Sequence, residues 1–462
     1  MMRSLFSGVA GLKTHQTRMD VIGNNIANVN TTAYKSQSMT FSDLMYQTTQ
    51  AASGANAVTG VGGINARQIG LGSKTGAIKT AISTSGSAQS TNDPFDIMIT
   101  GSSFFVVSNG SENFFTRDGS FYIDGAGNLA MTSTGYNVMG WQVDPTNENN
   151  IKKDTVSPLR LMTTDNMTYP PEATTKATVS GVIDKYDTDI NSASGRIMNL
   201  EFYDNQGYKY TARMSIHAVN GDLGQFYVQL DDVLDSEGNS IVGQNNVVAG
   251  DITLSSTAVQ GAGGLGSASL NYVNGKGTFE SVNGTPGTAG TGTITLQFDA
   301  TKLPNFSNIE IDFSSTFNYN KNGVSTVEAV SGDAAGLGSG RKIGEMSGIT
   351  VQKDGMIYAS YDNGQRRLLG QIAVANFANP SGLAKEGDNL YSSTMNSGEF
   401  DGIGDDITED GGYMTSGVLE MSNVDLAAEF TEMITTQRGF QANSRIITVS
   451  DTLLEELTNL KR

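Results

Sequence analysis

A seven-residue apolar repeat runs through each end of this 462-residue chain, and almost nothing between the ends carries one. At the start, Leu5, Leu12, Met19 and Ile26 fall seven apart, with Ile22 and Val29 on the neighbouring line. At the end, Leu426, Met433, Phe440, Ile447 and Leu454 keep the same step, with Phe430 beside them. A period of 3.5 residues holds one narrow stripe against a partner helix, the geometry of a coiled-coil seam. The pattern therefore predicts two terminal helices that clamp the subunit into an assembly. The line next to the C-terminal seam is mixed, Phe430 being followed at the same step by Gln437, Ser444 and Asp451. A lone pair of helices buries only one side of each stripe, so the ends are expected to be largely disordered in the free chain and to fold on assembly.

The N-terminal helix is expected from near Ser4 until Asn28–Thr32, where Asn and Thr favour caps and turns over helix interior. Phe41, Leu44 and Met45 suggest one further helical turn, and residues 51–63 read as a linker. The final helix is expected to start at a Ser422 or Asn423 cap and run almost to Arg462. At 1.5 Å per residue it would span about 55–60 Å, against about 35–40 Å for the first.

Between the helices the texture changes to short strands. Gly is abundant (55) and Pro scarce (8), which fits strands joined by tight turns rather than a helical enzyme core. Residues 95–99, 104–107, 114–117, 121–123, 129–131 and 136–143 read as strands, with turns at Asp118-Gly119 and at residues 124–128. A polar break at residues 144–150 is a candidate boundary. Beyond it, strands are expected at 178–183, Arg196–Tyr203, 208–219, 226–234, 251–254, 292–298 and 308–313. A second soft boundary lies at 331–340. Strands resume at 349–351, Met356–Tyr361 and 368–377, before an acidic, Gly-rich stretch at 398–412 that is expected to be mobile. The strand topology of the 146–340 region, and whether it is one domain or two, stays open.

The formal charge of −18 repels phosphate backbones and acidic membranes, so nucleic acid is excluded as a partner. No run of apolar residues is long enough to span a membrane, and residues 1–12 lack the apolar core of a secretory signal. With no cysteine, there is no disulfide, thiolate metal site or cysteine nucleophile. Neither histidine has a nucleophile pattern nearby: His15 lies one heptad before Ile22, and His217 reads as a surface residue of a strand. Residues 261–266 spell a dinucleotide fingerprint, but a strand rather than a helix follows at 267–273, so a Gly-rich hairpin tip is expected. Asp231, Asp232, Asp235 and Glu237 miss the calcium-loop spacing and read as a solvated turn. Asp401, Asp405, Asp406, Glu409 and Asp410 read as a charged loop. No catalytic residue, cofactor or metal is expected.

The N-terminal stretch Met1-Met2-Arg3-Ser4-Leu5-Phe6-Ser7-Gly8-Val9-Ala10-Gly11-Leu12 resembles the bacterial flagellar rod and hook family. So does Met19-Asp20-Val21-Ile22-Gly23-Asn24-Asn25-Ile26-Ala27-Asn28-Val29-Asn30-Thr31-Thr32-Ala33-Tyr34-Lys35, the hallmark motif of that family. The other end matches through 417–426, Met433-Ile434 and Gln437-Arg438-Gly439-Phe440-Gln441-Ala442-Asn443-Ser444-Arg445. Residues 95–107 with 115–119 are similar to the family's inner β domain. Ala33 stands where the family usually has Gly, which reads as a different turn rather than a strained one.

The resemblance implies a mainly β fold with paired α-helical termini and nested domains. These are an inner coiled-coil-like helical domain (1–63 with 413–462), a middle β domain (64–145 with 341–412) and an outer inserted β domain (146–340). It further implies a non-enzymatic, self-polymerising subunit, exported through the flagellar type III apparatus and built into a curved hollow tube that carries torque. Its partners would be copies of itself, the distal rod protein, the hook cap and the hook–filament junction protein. The family's rod members are shorter and lack a large insert, so length favours the hook. Residues 46–68 resemble a stretch of distal-rod relatives, which keeps the rod reading open; a secreted β-rich adhesin would explain the middle but not the ends.

Overall fold

The computed structural model describes residues 2–54, 60, 62–144, 146–219, 225–244, 247–254, 265–284 and 290–460. A long helix, Met2–Ala27, opens the chain and another, Leu426–Asn459, closes it; β-strands fill the interval. At 26 and 34 residues they are about 39 and 51 Å long. The second helix starts later than the sequence suggests. Asp425 is its cap, accepting from Ala427 N (2.9 Å) and Ala428 N (3.2 Å).

No helical turn forms at Phe41, Leu44 and Met45. Gln37–Asp43 is a strand, paired antiparallel with Ser73–Thr80, and Tyr46–Gln50 pairs with Arg67–Gly70. The 3–4 spacing of the three apolar residues imitates a helix, but the register is set by a distant strand. The expected linker is the far end of that ribbon, closed by a Ser53–Ile64 bridge; residues 55–59 and 61 lie outside the described residues.

The chain divides into two compact units. The first comprises Met1–Asn166, Gly348–Ser360 and Arg366–Arg462. Its sheet runs through Met356–Tyr361, Arg366–Ile372, Asn137–Asp144, Phe104–Ser108, Asn113–Thr116, Leu390–Ser392 and Ala384–Gly387. Phe104, Val106, Phe115, Phe377 and Tyr391 close one side of it as an aromatic core. The polar break at 144–150 is a hairpin rather than a boundary: Val143 pairs with Ile151, and the chain stays in this unit until Asn166. The acidic stretch 398–412 is also pinned rather than mobile. Asp405 exchanges two backbone hydrogen bonds with Val374, Ile407 is buried, and Trp141 Nε1 donates to Ile403 O at 2.9 Å.

The second unit is Met167–Ser347 with Tyr361–Gln365. It contains two five-stranded sheets around a single core. One is ordered Ile252–Leu254, Thr293–Phe298, Ile309–Asn318, Lys176–Ile183, Glu328–Ser331; the other Arg196–Tyr203, Lys209–Ala218, Gln225–Leu234, Ser267–Tyr272, Phe279–Val282. Alternation drives them together: Met198, Leu200 and Phe202 point in while Ile197 and Glu201 face out. The region is thus one domain. Its two chain ends are stitched side by side, Glu172 and Arg341 exchanging backbone hydrogen bonds (3.1 and 2.8 Å) and Thr168 pairing with Glu345.

His217 is not a surface residue. It is buried in the interior strand Lys209–Ala218, bonded to Ser215 Oγ at 3.0 Å and stacked on Tyr227. Ser267–Tyr272 is a strand, as expected; Gly261 to Gly264 before it lie outside the described residues. Asp235 accepts from Glu237 N and Asn239 N, closing a turn. Among the described residues no His or acidic cluster is arranged to hold a metal, and no helix is long and apolar enough to cross a membrane.

Candidate assembly site

The two terminal helices lie antiparallel: Gly8 meets Ile447, Gly11 meets Asn443, His15 meets Gly439, Arg18 meets Glu432 and Asn25 meets Glu429. Small residues set how closely they approach. A Cβ added at Gly11 would lie 2.6 Å from Asn443 Nδ2, and one at Gly439 2.6 Å from His15 Cε1. On the C-terminal helix the buried residues are Thr436 and Ser450, not the heptad leucines. Of the heptad residues Ile22 is buried, while Leu5, Leu12, Met19, Ile26, Val29, Met433, Phe440, Ile447 and Leu454 are half-buried. Leu426 and Phe430 are exposed.

A second apolar line on the same helix faces away. Ile446, Val449, Leu453 and Leu457 are 43–57% exposed at 3–4–4 spacing, with Ile434 above them and Phe6 and Val9 exposed on the N-terminal helix. An exposed apolar line at helical period is the kind of surface that docks against a partner.

The hallmark motif is a hydrogen-bonded hub that ties the helix pair to the β ribbon. Asn25, buried, uses its whole amide: Nδ2 donates to Gln37 O and Glu429 Oε1 (both 2.8 Å), while Oδ1 accepts from Gln37 N (2.9 Å) and Tyr34 OH (3.2 Å). Asn24 Nδ2 donates to Tyr34 Oη at 3.1 Å. Asn28 folds back on Asn24 and receives Thr31 Oγ1 at 3.1 Å, ending the helix. Burial raises the Glu429 carboxyl above its ordinary range against the Asn25 bond, and burial with Glu429 nearby raises the Tyr34 phenol.

The chain then turns through Ala33, whose φ is +54°. The left-handed turn is therefore present, with Ala in it, and the expectation of a different turn is wrong. Ala33 N donates to Glu420 O at 2.7 Å. Next comes Lys35, buried, with its Nζ on Glu420 Oε1 (2.6 Å) and Thr84 O (2.8 Å). Gly86 N adds a bond to the same carboxylate oxygen (2.9 Å), and Arg117 lies buried nearby. Burial lowers the Lys35 pKa, and the Glu420 contact opposes that.

Glu420, Asn423 and Glu429 complete this hydrogen-bonded hub, and the heptads did not reveal them. Asn423 spends its side chain on Ser36 N (2.7 Å), Ala81 O and Thr84 O (both 3.0 Å), which is why it does not cap the helix. Asn30 and Gln437 are exposed, and Arg438 reaches Gln441 at 3.4 Å.

Three stretches match known families. Residues 5–35 match "Flagella basal body rod protein", 98–181 "Flagellar hook protein FlgE/F/G D1 domain" and 415–460 "Flagellar basal body rod FlgEFG protein C-terminal". The chain is 34% identical over 480 residues to the flagellar hook protein FlgE of Treponema pallidum (strain Nichols), with 100% of each covered. It is 35% identical over 486 residues to the flagellar hook protein FlgE of Borreliella burgdorferi, again with 100% of each covered. To the flagellar basal-body rod protein FlgG of Bacillus subtilis (strain 168) the identity is 29% over 462 residues, with 100% of each covered.

Proposed function

The chain belongs to the flagellar hook protein family, and from that membership we propose how its parts build and work a tube. It is a structural subunit of the hook of the bacterial flagellum and not an enzyme; the distal-rod reading is less favoured. Copies polymerise into a curved, hollow, torque-bearing tube. Innermost stands a coiled-coil-like helical domain (1–63 with 413–462), next a middle β domain built from the rest of the first unit, outermost the insert, Met167–Ser347.

The observation that supports this is the uncovered apolar line Ile446, Val449, Leu453 and Leu457. A head-to-tail contact whose rotation does not close makes an open helical polymer, and this stripe offers such a contact to the next copy. The distal rod protein, hook cap and hook–filament junction protein would meet the two ends of the tube, after delivery through the type III export apparatus. An insert rich in Asn, Ser, Thr and Gly suits outer contacts that slide as the tube bends.

The test is Val449→Asp with Leu453→Asp. The β core should melt as in the wild type, read by the single Trp141, while electron microscopy finds no tubes. Wild-type yields of tubes would overturn the reading.

A further inference from the structure

We propose that His15 is an acid-sensitive pin between the terminal helices, which releases the helix pair when its imidazole takes up a proton. The geometry belongs to one chain; only the consequence for a tube rests on the assembly reading.

The ring fills the space left by the missing side chain of Gly439. A Cβ there would lie 2.6, 2.8 and 3.2 Å from His15 Cε1, Nε2 and Nδ1. Phe41, from the strand Gln37–Asp43, covers another side at a ring distance of 5.4 Å. Nδ1 is enclosed with no hydrogen-bond partner. A neutral imidazole tolerates one bare lone pair at modest cost. An imidazolium makes both nitrogens donors, so a proton would create a buried, unpaired donor carrying charge.

The surroundings offer that charge no relief. On its own helix the nearest charge is Arg18, which repels a cation. On the facing helix Glu432 is already held by Arg18 at 2.9 Å, Glu429 is engaged by Asn25, and Arg438, next to Gly439, turns to Gln441. On the ribbon, Asp43 is in register with Ser73 and Ser42 with Lys74, two strand positions that flank Phe41 on one side only.

Burial first, and Arg18 second, lower the His15 pKa from its ordinary 6.5. The neutral form is thus the one the helix pair holds. This stabilisation is full above the unfolded value of 6.5 and is lost as pH falls through the lowered one.

The experiment follows polymerised protein by sedimentation as pH is brought from about 7.5 to about 5. Soluble subunit should rise about tenfold in the wild type and in His217→Gln, and stay flat in His15→Gln. The same rise in His15→Gln overturns the proposal. Ring-carbon NMR of the wild type, which has two histidines, needs no variant. His15 titrating below 6.5 supports the pin, and titrating at or above it overturns the pin. Wild type that forms no polymer at about pH 7.5 would instead sink the assembly reading, and the NMR titration would still decide the pin.

Discussion

Lys35 Nζ lies 2.6 Å from Glu420 Oε1, with both side chains 1% exposed and the partners 385 residues apart in the chain. A dry ion pair is thus one of the links that hold one end of the chain to the other. Removing one partner strands a buried charge. Lys35→Met should cost about 3–5 kcal/mol, and Lys35→Met with Glu420→Leu should recover at least half of it. Urea unfolding monitored by Trp141 fluorescence measures both.

Ala33 sits at φ +54° and is 2% exposed. Relieving the left-handed strain gains about 1–2 kcal/mol. Replacing Ala by Gly forfeits about 0.8 kcal/mol for the buried methyl and about 0.4–1 kcal/mol of unfolded-state entropy. The terms nearly cancel, so Ala33→Gly should shift stability by less than about 1 kcal/mol, whereas Ala33→Val, branched at positive φ, should cost about 3 kcal/mol or more. Equal melts for Gly and Val would contradict this.

Gly11 and Gly439 let the helices touch. Gly439→Ala would press on the ring of His15, and Gly11→Ala on the side-chain amide of Asn443. Both should abolish tubes seen by electron microscopy. Because Asn443 meets Gly11 with the end of its side chain, Gly11→Ala with Asn443→Ala should restore them in part.

Asp406 receives Lys153 at 2.9 Å and Gln371 at 3.1 Å. Burial pushes its carboxyl up, but the bonds from Lys153, Thr408 and Gln371 outweigh that and hold it at about 2. A depressed folded value stabilises the chain above the ordinary 3.8, and that stabilisation is lost as pH falls towards about 2. Acid titration of the Trp141 signal should show this loss in the wild type and a weaker one in Asp406→Asn.

The free subunit should show less helix than the two terminal segments together would give, because their outer apolar line has no cover until copies meet. Circular dichroism before and after polymerisation is the measurement; full helix in the dilute monomer would refute the expectation.

Local pattern carried the strands well. Arg196–Tyr203 was readable to the residue, since alternation and its flanking turns are properties of neighbours. Phe41, Leu44 and Met45 misled because their spacing fits a helix while Ser73–Thr80 decides their fate. His217 looked exposed until both flanking strands and Tyr227 were in place. At the site, the motif asparagines were visible as a run. The pairings of Asn25 with Glu429, Lys35 with Glu420 and Ser36 with Asn423 were not, because nothing in a local window encodes a bond across the whole chain.

The stitched entry and exit of the second unit carry a further consequence. A domain hung from two adjacent backbone rungs can be enlarged, trimmed or exchanged without re-threading anything else, since whatever replaces it needs only to start and finish at Glu172 and Arg341. Evolution could therefore retailor this domain while the rest of the chain stayed fixed.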